Sequence, residues 1–230
     1  MISVAMATYN GEKYIKEQIT SILSQLGKDD ELVVSDDGST DKTLEYVEDF
    51  NDKRIKIFDG PKKGVKQNFA NAIAKCKGDV IFLSDQDDVW LDNKVAIVME
   101  TFRKEKCQCV VHDAEVFESD TGKIIFKSFF EWRKSGPGIV KNIWKNTYIG
   151  CCMAFTKDMK KYILPVPDDI NMHDQWIGLI CEKKGESVFL PETLLKYRRH
   201  SSNQTKMGHS SVLNMLKKRV HITIRIIRNG

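Results

Sequence analysis

The sequence predicts an α/β domain with a mostly parallel central sheet flanked by helices. Short apolar runs that suit buried strands alternate with longer stretches in which apolar residues recur at helical spacing. Polar residues follow directly after three of these apolar runs. Strands that alternate with helices form a parallel sheet covered on both faces, because each connection returns to the same end of the sheet.

The elements of the first half can be assigned in order. Residues 2–7, 31–35, 55–58 and 80–83 are short apolar runs that predict strands. Residues 12–26 predict the first helix, because Ile15, Ile19 and Ile22 share one face. Ser39 or Thr40 is suited to cap the second helix, and residues 64–76 predict the third.

The second half has a less regular pattern. It predicts a helix over residues 93–104, a strand over 109–112, a glycine- and proline-containing loop at 135–138 and a helix beginning near His173. We assign residues 1–206 to one domain and residues 207–230 to a C-terminal tail.

The tail predicts a basic amphipathic helix. Its apolar residues recur at helical spacing from Val212 to Ile227, and lysines and arginines occupy much of the remainder. Such helices lie on anionic membrane surfaces. A helix packed on the domain and an oligomer contact are the alternatives.

Composition limits the class of protein. The chain has 230 residues, 41% of them hydrophobic, and a net charge of +4, which suits one soluble domain with an appendage and not a nucleic-acid binder. Its six cysteines form no C-x-x-C pair, so buried, reduced thiols are expected. Residues 1–7 do not resemble a signal peptide, and no apolar run approaches the ~20 residues of a membrane span. We therefore expect a cytoplasmic protein, with contact to the inner face of the cell membrane through the tail.

Three polar clusters follow three predicted strands. They are Thr8-Tyr9-Asn10, Asp36-Asp37 and Asp85-Gln86-Asp87-Asp88. Ligands of open α/β sheets bind at the carboxyl ends of the strands, so these clusters predict one composite site.

The acidic clusters indicate what this site binds. Carboxylates crowded after a strand repel one another unless a cation neutralises them, and Mg²⁺ is usually held by one or two carboxylates together with substrate phosphates. An acidic solvated turn is the alternative. A carboxylate of Asp36-Asp37 can accept hydrogen bonds from a nucleotide base or from ribose hydroxyls. The alternative is that these residues only form a turn before Gly38. The sequence has no Walker loop and no G-x-G-x-x-G, which favours phosphate binding through a metal.

The ordered motifs resemble family 2 glycosyltransferases of the GT-A (nucleotide-diphospho-sugar transferase) fold. Besides the three clusters, the matching segments are Gly150-Cys151-Cys152-Met153-Ala154-Phe155, His173-Asp174-Gln175-Trp176 and Tyr197-Arg198-Arg199-His200. The resemblance covers about residues 1–205, and the acidic and Gly-Cys motifs look most like those of rhamnosyltransferases.

The resemblance implies a role for each matching residue. Those placed at the donor nucleotide are Thr8, Tyr9, Asn10, Glu12, Asp37, Asp85 and Gln86, while Asp87 and His200 are placed at a Mg²⁺ or Mn²⁺ ion and Asp174 is the catalytic base. Many relatives have Glu-Asp where this chain has His173-Asp174. Asp174 as a helix N-cap and His200 as a surface histidine are the alternatives from spacing alone.

Lys66 and Asn68 are added from the sequence itself. They begin the helix after Gly64, where backbone N–H groups and a lysine suit a nucleotide. A solvated helix start is the alternative.

The implied function is inverting sugar transfer from a nucleotide-diphosphate donor to an acceptor hydroxyl in polysaccharide or glycan assembly. The donor would be dTDP-rhamnose or a UDP-sugar, and the acceptor a glycan or a lipid-linked sugar. A sugar nucleotidyltransferase and a non-catalytic nucleotide-sugar or membrane-binding module are the alternatives.

Overall fold

The computed structural model describes residues 1–200 and 212–228. Within these residues the strands form one nine-stranded sheet. The strands are β1 (Ile2–Thr8), β2 (Glu31–Asp36), β3 (Ile55–Asp59), β4 (Val80–Ser84), β5 (Val89–Trp90), β6 (Cys109–Glu118), β7 (Ile124–Phe126), β8 (Met153–Thr156) and β9 (Ser187–Arg199).

Helices connect and cover these strands. They are α1 (Ile15–Leu23), α2 (Thr43–Glu48), α3 (Val65–Lys75), α4 (Lys94–Glu105), α5 (Phe129–Arg133), α6 (Ile139–Trp144), α7 (Lys160–Ile163), α8 (His173–Lys184) and α9 (Val212–Arg228). Short 3₁₀ helices lie at Gly150–Cys152 and Lys157–Met159.

The sheet is parallel in its first half and mixed in its second. Its order is β3-β2-β1-β4-β8-β6-β9-β5, with β7 paired to β6. The neighbours β3, β2, β1 and β4 are parallel, as predicted. Strand β8 runs antiparallel to both β4 and β6, whereas β6 and β9 are parallel. The strand order reverses between β1 and β4, which opens a crevice at their carboxyl ends.

The apolar strands are continuous runs because both sheet faces are buried. Along β1, Val4 and Met6 pack in the core layer that includes α1, and Ala5 and Ala7 pack in the layer that includes α3 and α8. Successive side chains point to opposite faces of a strand, so one short segment contributes to both layers. All six cysteines are free and buried in these layers.

The largest difference from the predicted elements is β9. Thirteen residues form this strand, and several of its side chains are exposed or half-buried, so it has no continuous apolar run. Strand β6 extends to Glu118 instead of ending at residue 112, and its pairing with β9 shifts register near Asp113. Helices α5, α6 and α7 have four to six residues, too few to show a helical period.

The basic helix α9 packs on the domain through one of its faces. Ile222 and Ile226 are buried in the core layer that contains α8. Among the described residues, none of the helices combines the length and the apolar character that crossing a bilayer requires. The predicted domain boundary at residue 206 lies outside the described residues.

Candidate active site

A cleft of about 1110 Å³ lies at the carboxyl ends of β1, β2 and β4. It is where the reversal in strand order predicts a ligand site. The structure brings most of the sequence-predicted residues to its walls, namely Thr8, Tyr9, Asn10, Asp37, Asn68, Asp85, Gln86, Asp87, Asp174 and His200.

The loop after β1 is fixed to the turn after β4. The Tyr9 N–H donates to Gln86 Oε1 at 2.9 Å, and Gln86 Nε2 donates back to the Tyr9 carbonyl at 3.0 Å. Gly11 makes this approach possible, because a Cβ at this position would lie 2.4 Å from Gln86 Oε1. The Gln86 side chain therefore holds two parts of the cleft wall together.

The two aspartates after β2 have different surroundings. Asp36 is buried and accepts hydrogen bonds from Thr8, Ser39 and the Gly38 N–H. Asp37 lines the cleft, and its carboxylate accepts from the backbone N–H groups of Lys62 and Gly64 at 2.6 and 2.7 Å. Asp36 thus shapes the turn, and Asp37 presents a fixed carboxylate to a ligand.

Arg198, near the end of β9, holds the acidic turn after β4 in place. Asp88 is fully buried and accepts from the Arg198 N–H at 2.9 Å, while Arg198 Nε donates to the Asp87 carbonyl at 2.7 Å. The Arg198 guanidinium also pairs with Glu17. Arg198 therefore fixes the turn, and Arg199 and His200 line the cleft.

The side chains of Asp87 and His200 meet in the wall of the cleft. His200 Nε2 lies 2.8 Å from Asp87 Oδ2. Two neighbouring ligands of an octahedral Mg²⁺ or Mn²⁺ ion lie about 3 Å apart, given bond lengths of roughly 2.1 Å. The spacing and the donor atoms of this pair fit such an ion.

A second group of candidate ligands includes Asp85, which also lines the cleft. Oxygen and sulfur atoms of Asp85, Asp88 and Cys151 lie within 4.8 Å of one another. Burial raises the pKa of the Cys151 thiol well above its usual value and keeps it protonated, and the thiolate is the metal-binding form. The buried Lys94 ammonium contributes positive charge beside this group, since Lys94 Nζ donates to the Cys151 carbonyl at 2.8 Å. Asp87 and His200 both line the cleft, whereas Asp88 and Cys151 do not.

Charge in the cleft favours a bound cation. Burial, followed by the nearby charges of Asp87 and Asp174, raises the pKa of Asp85 to about 7. A cation between these carboxylates would relieve their repulsion and lower that pKa.

Asp174 lies in the first turn of α8 and lines the cleft. Its Oδ1 accepts from Asn146 Nδ2 at 3.0 Å and from the Gln175 N–H at 2.6 Å. Loss of solvent around the carboxyl raises its pKa to about 6, although both hydrogen bonds oppose this shift. The N-cap position belongs to Met172, so the alternative of Asp174 as a cap is wrong.

Three residues near the cleft have structural partners. Glu12 and Lys66 do not line the cleft: Glu12 accepts from the Lys42 N–H, and Lys66 Nζ donates to the carbonyls of Asp168 and Ile170. Asn68 lines the cleft but uses its amide on Thr8 and Ser35. The first residues of α3 therefore hydrogen-bond to loops and strands of the domain. The sequence of this helix did not indicate those contacts.

Part of the cleft lining comes from residues that the sequence did not single out. They include Phe129, Trp132, Arg133, Asn146 and Tyr148. They belong to short helices and loops, where single residues give no periodic signal. Of these, Asn146 contacts Asp174 directly.

Comparison with known proteins identifies a family that the sequence matches. Residues 3–164 match the family described as Glycosyl transferase family 2. The chain belongs to this family. Among its relatives, the family 2 chain is 30% identical over 220 residues to the dTDP-rhamnosyl transferase RfbG of Shigella flexneri, covering 86% of this chain and 73% of RfbG. The rhamnosyltransferase resemblance is thereby confirmed.

A second relative has a different named donor. The family 2 chain is 29% identical over 154 residues to the UDP-Glc:alpha-D-GlcNAc-diphosphoundecaprenol beta-1,3-glucosyltransferase WfgD of Escherichia coli. That match covers 66% of this chain and 58% of WfgD, so the chain spans little more than half of this relative.

Solved structures confirm the GT-A fold of the family 2 chain. S. aureus TarS 1–349 in complex with UDP-GlcNAc matches with a TM-score of 0.79 at 19% identity, covering 98% of this chain and 66% of that one. The mannosyltransferase PcManGT from Pyrobaculum calidifontis, in complex with GDP-Man and Mn²⁺, matches with a TM-score of 0.65 at 14% identity over 98% of this chain and 69% of that one.

Proposed function

We propose that this family 2 glycosyltransferase performs inverting sugar transfer from a nucleotide-diphosphate donor to an acceptor hydroxyl. The observation that carries the proposal is that Asp37, the Asp87–His200 pair and Asp174 line a single cleft. These groups come from four distant parts of the chain, and together they supply the nucleotide, cation and base functions of one reaction.

The donor nucleotide would occupy the side of the cleft formed by β1, β2 and β4. Asp37 offers a carboxylate fixed by two backbone N–H groups, and Tyr9, a residue that is 55% exposed, offers an aromatic ring. A carboxylate can accept from a base N–H or from ribose hydroxyls, and an aromatic ring can cover the base.

Asp87 and His200 would hold Mg²⁺ or Mn²⁺ beside the diphosphate. A divalent cation at this position stabilises the charge that develops on the leaving diphosphate. The Mn²⁺ in the complex of PcManGT, which shares this fold, supports the choice of metal. Arg198 holds the turn that carries Asp87 through a hydrogen bond to its backbone carbonyl. Asp87 would therefore be in position as a metal ligand before the substrate binds.

Asp174 would remove the proton from the acceptor hydroxyl. A general base works best with a pKa near the working pH, and the pKa of Asp174 is raised to about 6. Asn146 orients its carboxylate. The base would lie on the far side of the reacting carbon from the leaving diphosphate, which is the arrangement that inversion requires.

We propose dTDP-rhamnose as the donor and a glycan or lipid-linked sugar as the acceptor. The similarity to RfbG supports the donor, and the named acceptor of WfgD, a diphosphoundecaprenol-linked sugar, supports the acceptor class. A UDP-sugar is the competing donor, supported by the UDP-Glc of WfgD and the UDP-GlcNAc of TarS.

A panel of nucleotide sugars tests this function. We expect the purified chain with Mn²⁺ to hydrolyse dTDP-rhamnose slowly in the absence of an acceptor, and to hydrolyse UDP-glucose and UDP-N-acetylglucosamine less well. Release of the nucleoside diphosphate is measured for each donor with Mn²⁺, Mg²⁺ or EDTA. Release from no donor would contradict the enzymatic function, and preference for a UDP-sugar would contradict only the rhamnosyl assignment.

We also propose that α9 contacts the inner face of the cell membrane in the cytoplasm. The face of α9 turned away from the domain exposes Leu216, Val220, Ile224 and Ile227. The exposed Trp144 lies beside α9, because Arg219 covers its ring at 3.8 Å. The helix has no acidic residue, so an apolar stripe with basic flanks is available to anionic lipid.

Vesicle sedimentation tests the membrane contact. We expect Val220→Glu and Ile224→Glu each to weaken binding to vesicles of anionic phosphatidylglycerol by about tenfold, since a buried aliphatic side chain contributes roughly 1.5–3 kcal/mol. His221→Glu is the matched control, because it makes the same charge change at another exposed position of α9. Equal weakening in all three variants would mean that only charge matters, and no binding by the parent chain would exclude the contact.

A further inference from the structure

Helix α5 is anchored to the sheet and brings an aromatic residue to the cleft. Asp113 of β6 is buried and accepts hydrogen bonds from Ser128 Oγ and, at 2.9 Å, from the Phe130 N–H. Ser128 also caps the helix, because its side chain accepts from the Glu131 N–H. The start of α5 is therefore fixed to the sheet, and Trp132 of this helix lines the cleft.

The Trp132 ring is held in place by two other aromatic rings. It stacks on Phe126 of β7, with 4.4 Å between the ring centroids and 10° between the ring planes. It also meets Phe129 at 87°, with 5.5 Å between the centroids. Trp132 is nevertheless only half-buried, whereas Phe129 is buried. This packing holds a large, flat apolar side chain at the wall of the cleft without covering it completely.

The same helix is connected to the proposed base. Arg133 Nη2 donates to the Asn146 carbonyl at 3.1 Å, and Asn146 Nδ2 donates to Asp174 Oδ1 at 3.0 Å. All three residues line the cleft, as Trp132 does. Helix α5 is therefore on the side of the cleft that carries the base, and the acceptor hydroxyl must reach that base to lose its proton.

We infer that Trp132 forms part of an acceptor subsite and packs against the ring of the acceptor sugar. The inference rests on the proposed function. The faces of a pyranose ring carry C–H groups, and a flat aromatic ring can cover such apolar surface while polar groups of the cleft bind the hydroxyls. The donor nucleotide is proposed to lie instead along β1, β2 and β4, beside Asp37 and Tyr9. The subsite would therefore take a pyranoside and contribute to acceptor binding.

Two substitutions separate the flat ring from apolar packing. Trp132→Phe keeps an aromatic ring beside Phe126, whereas Trp132→Leu keeps an apolar side chain and removes the ring. We expect Trp132→Leu to raise the KM for the acceptor by about tenfold, and Trp132→Phe to raise it less. Donor hydrolysis without acceptor and the affinity for nucleoside diphosphate should stay within about twofold of the parent in both variants. Retained hydrolysis would also show that the cleft is folded.

The experiment uses two soluble acceptor probes, an N-acetylglucosaminyl diphosphate with a short alkyl chain and an octyl rhamnoside. Each is titrated with the donor that the parent hydrolyses best, and the glycosylated product is measured by chromatography. Tyr162→Leu is the matched control, because Tyr162 is also a half-buried aromatic residue but does not line this cleft. It should keep the acceptor KM of the parent.

The outcomes distinguish this inference from the proposed function. A rise in acceptor KM in Trp132→Leu with retained donor hydrolysis supports the subsite. An unchanged acceptor KM, or a loss of donor hydrolysis as large as the rise in acceptor KM, overturns it. If the parent hydrolyses a donor but transfers to neither probe, the subsite for a pyranoside is wrong. If the parent hydrolyses no donor, the proposed function itself fails.

Discussion

Asp174→Asn is expected to lower sugar transfer by about 10²- to 10⁴-fold, the usual contribution of a general base. Asparagine has the same size, and its amide oxygen can still accept from Asn146 and the Gln175 N–H, as Asp174 Oδ1 does. The fold and the cleft should therefore be retained, while the proton acceptor is lost. We expect nucleoside diphosphate affinity to stay within a few-fold, measured by calorimetry beside a transfer assay with the accepted donor.

The pH profile is the second readout of the same residue. The carboxylate form is the base, and the pKa of Asp174 is raised to about 6, so transfer should fall as the pH decreases through about 6 and level off above it. Asp174→Asn should remove this step from its residual activity. Asp158→Asn, at an exposed aspartate outside the cleft, is the control and should keep the profile of the parent. Parent-like turnover in Asp174→Asn would exclude it as the base.

Asp87→Ala is expected to abolish the effect of Mn²⁺ on nucleoside diphosphate binding and to lower transfer by about 10²- to 10³-fold. The substitution removes the carboxylate that faces His200 at 2.8 Å, so the diphosphate would lose its cation. His200→Ala should act in the same direction and more weakly, because one carboxylate ligand remains. Calorimetric titrations of the nucleoside diphosphate with Mn²⁺ and with EDTA measure both effects.

A nearby aspartate provides the control for this experiment. Asp92 is exposed and does not line the cleft, so Asp92→Ala should respond to Mn²⁺ like the parent. An undiminished Mn²⁺ response in Asp87→Ala would contradict the ligand assignment. If Asp85→Asn then lost the Mn²⁺ response, the ion would be bound by the second group of candidate ligands, Asp85, Asp88 and Cys151.

The sequence predicted the first half of the fold well, because its strands can be recognised from neighbouring residues alone. Strands β1, β2 and β4 are buried on both faces, so each is a continuous apolar run that a single sequence shows. The polar clusters follow these strands, and parallel strands bring their carboxyl ends to one edge. Locating the cleft therefore required only the order of the elements.

The remainder depends on contacts between distant residues. Arg198 could be recognised as a support for the acidic turn only after β9 was placed, because it contacts Asp87 and Asp88 across more than a hundred residues. The partners of Lys66 depend on the same kind of contact: a lysine at a helix start suits a nucleotide, and in the structure Lys66 Nζ donates to the carbonyls of Asp168 and Ile170. The amino-acid type shows what a side chain can bind, whereas the tertiary fold decides which partner is near.

The position of Arg198 and His200 at the end of β9 has a consequence for synthesis of the protein. A nascent chain that has left the ribosome only as far as α8 already contains β1, β2, β4 and the base, but it has neither the support of the acidic turn nor its histidine partner. The parallel half of the sheet could assemble at that stage. Its acidic turn would gain its arginine support only after β9 had been translated and had paired with β6, so catalytic competence would coincide with completion of the sheet.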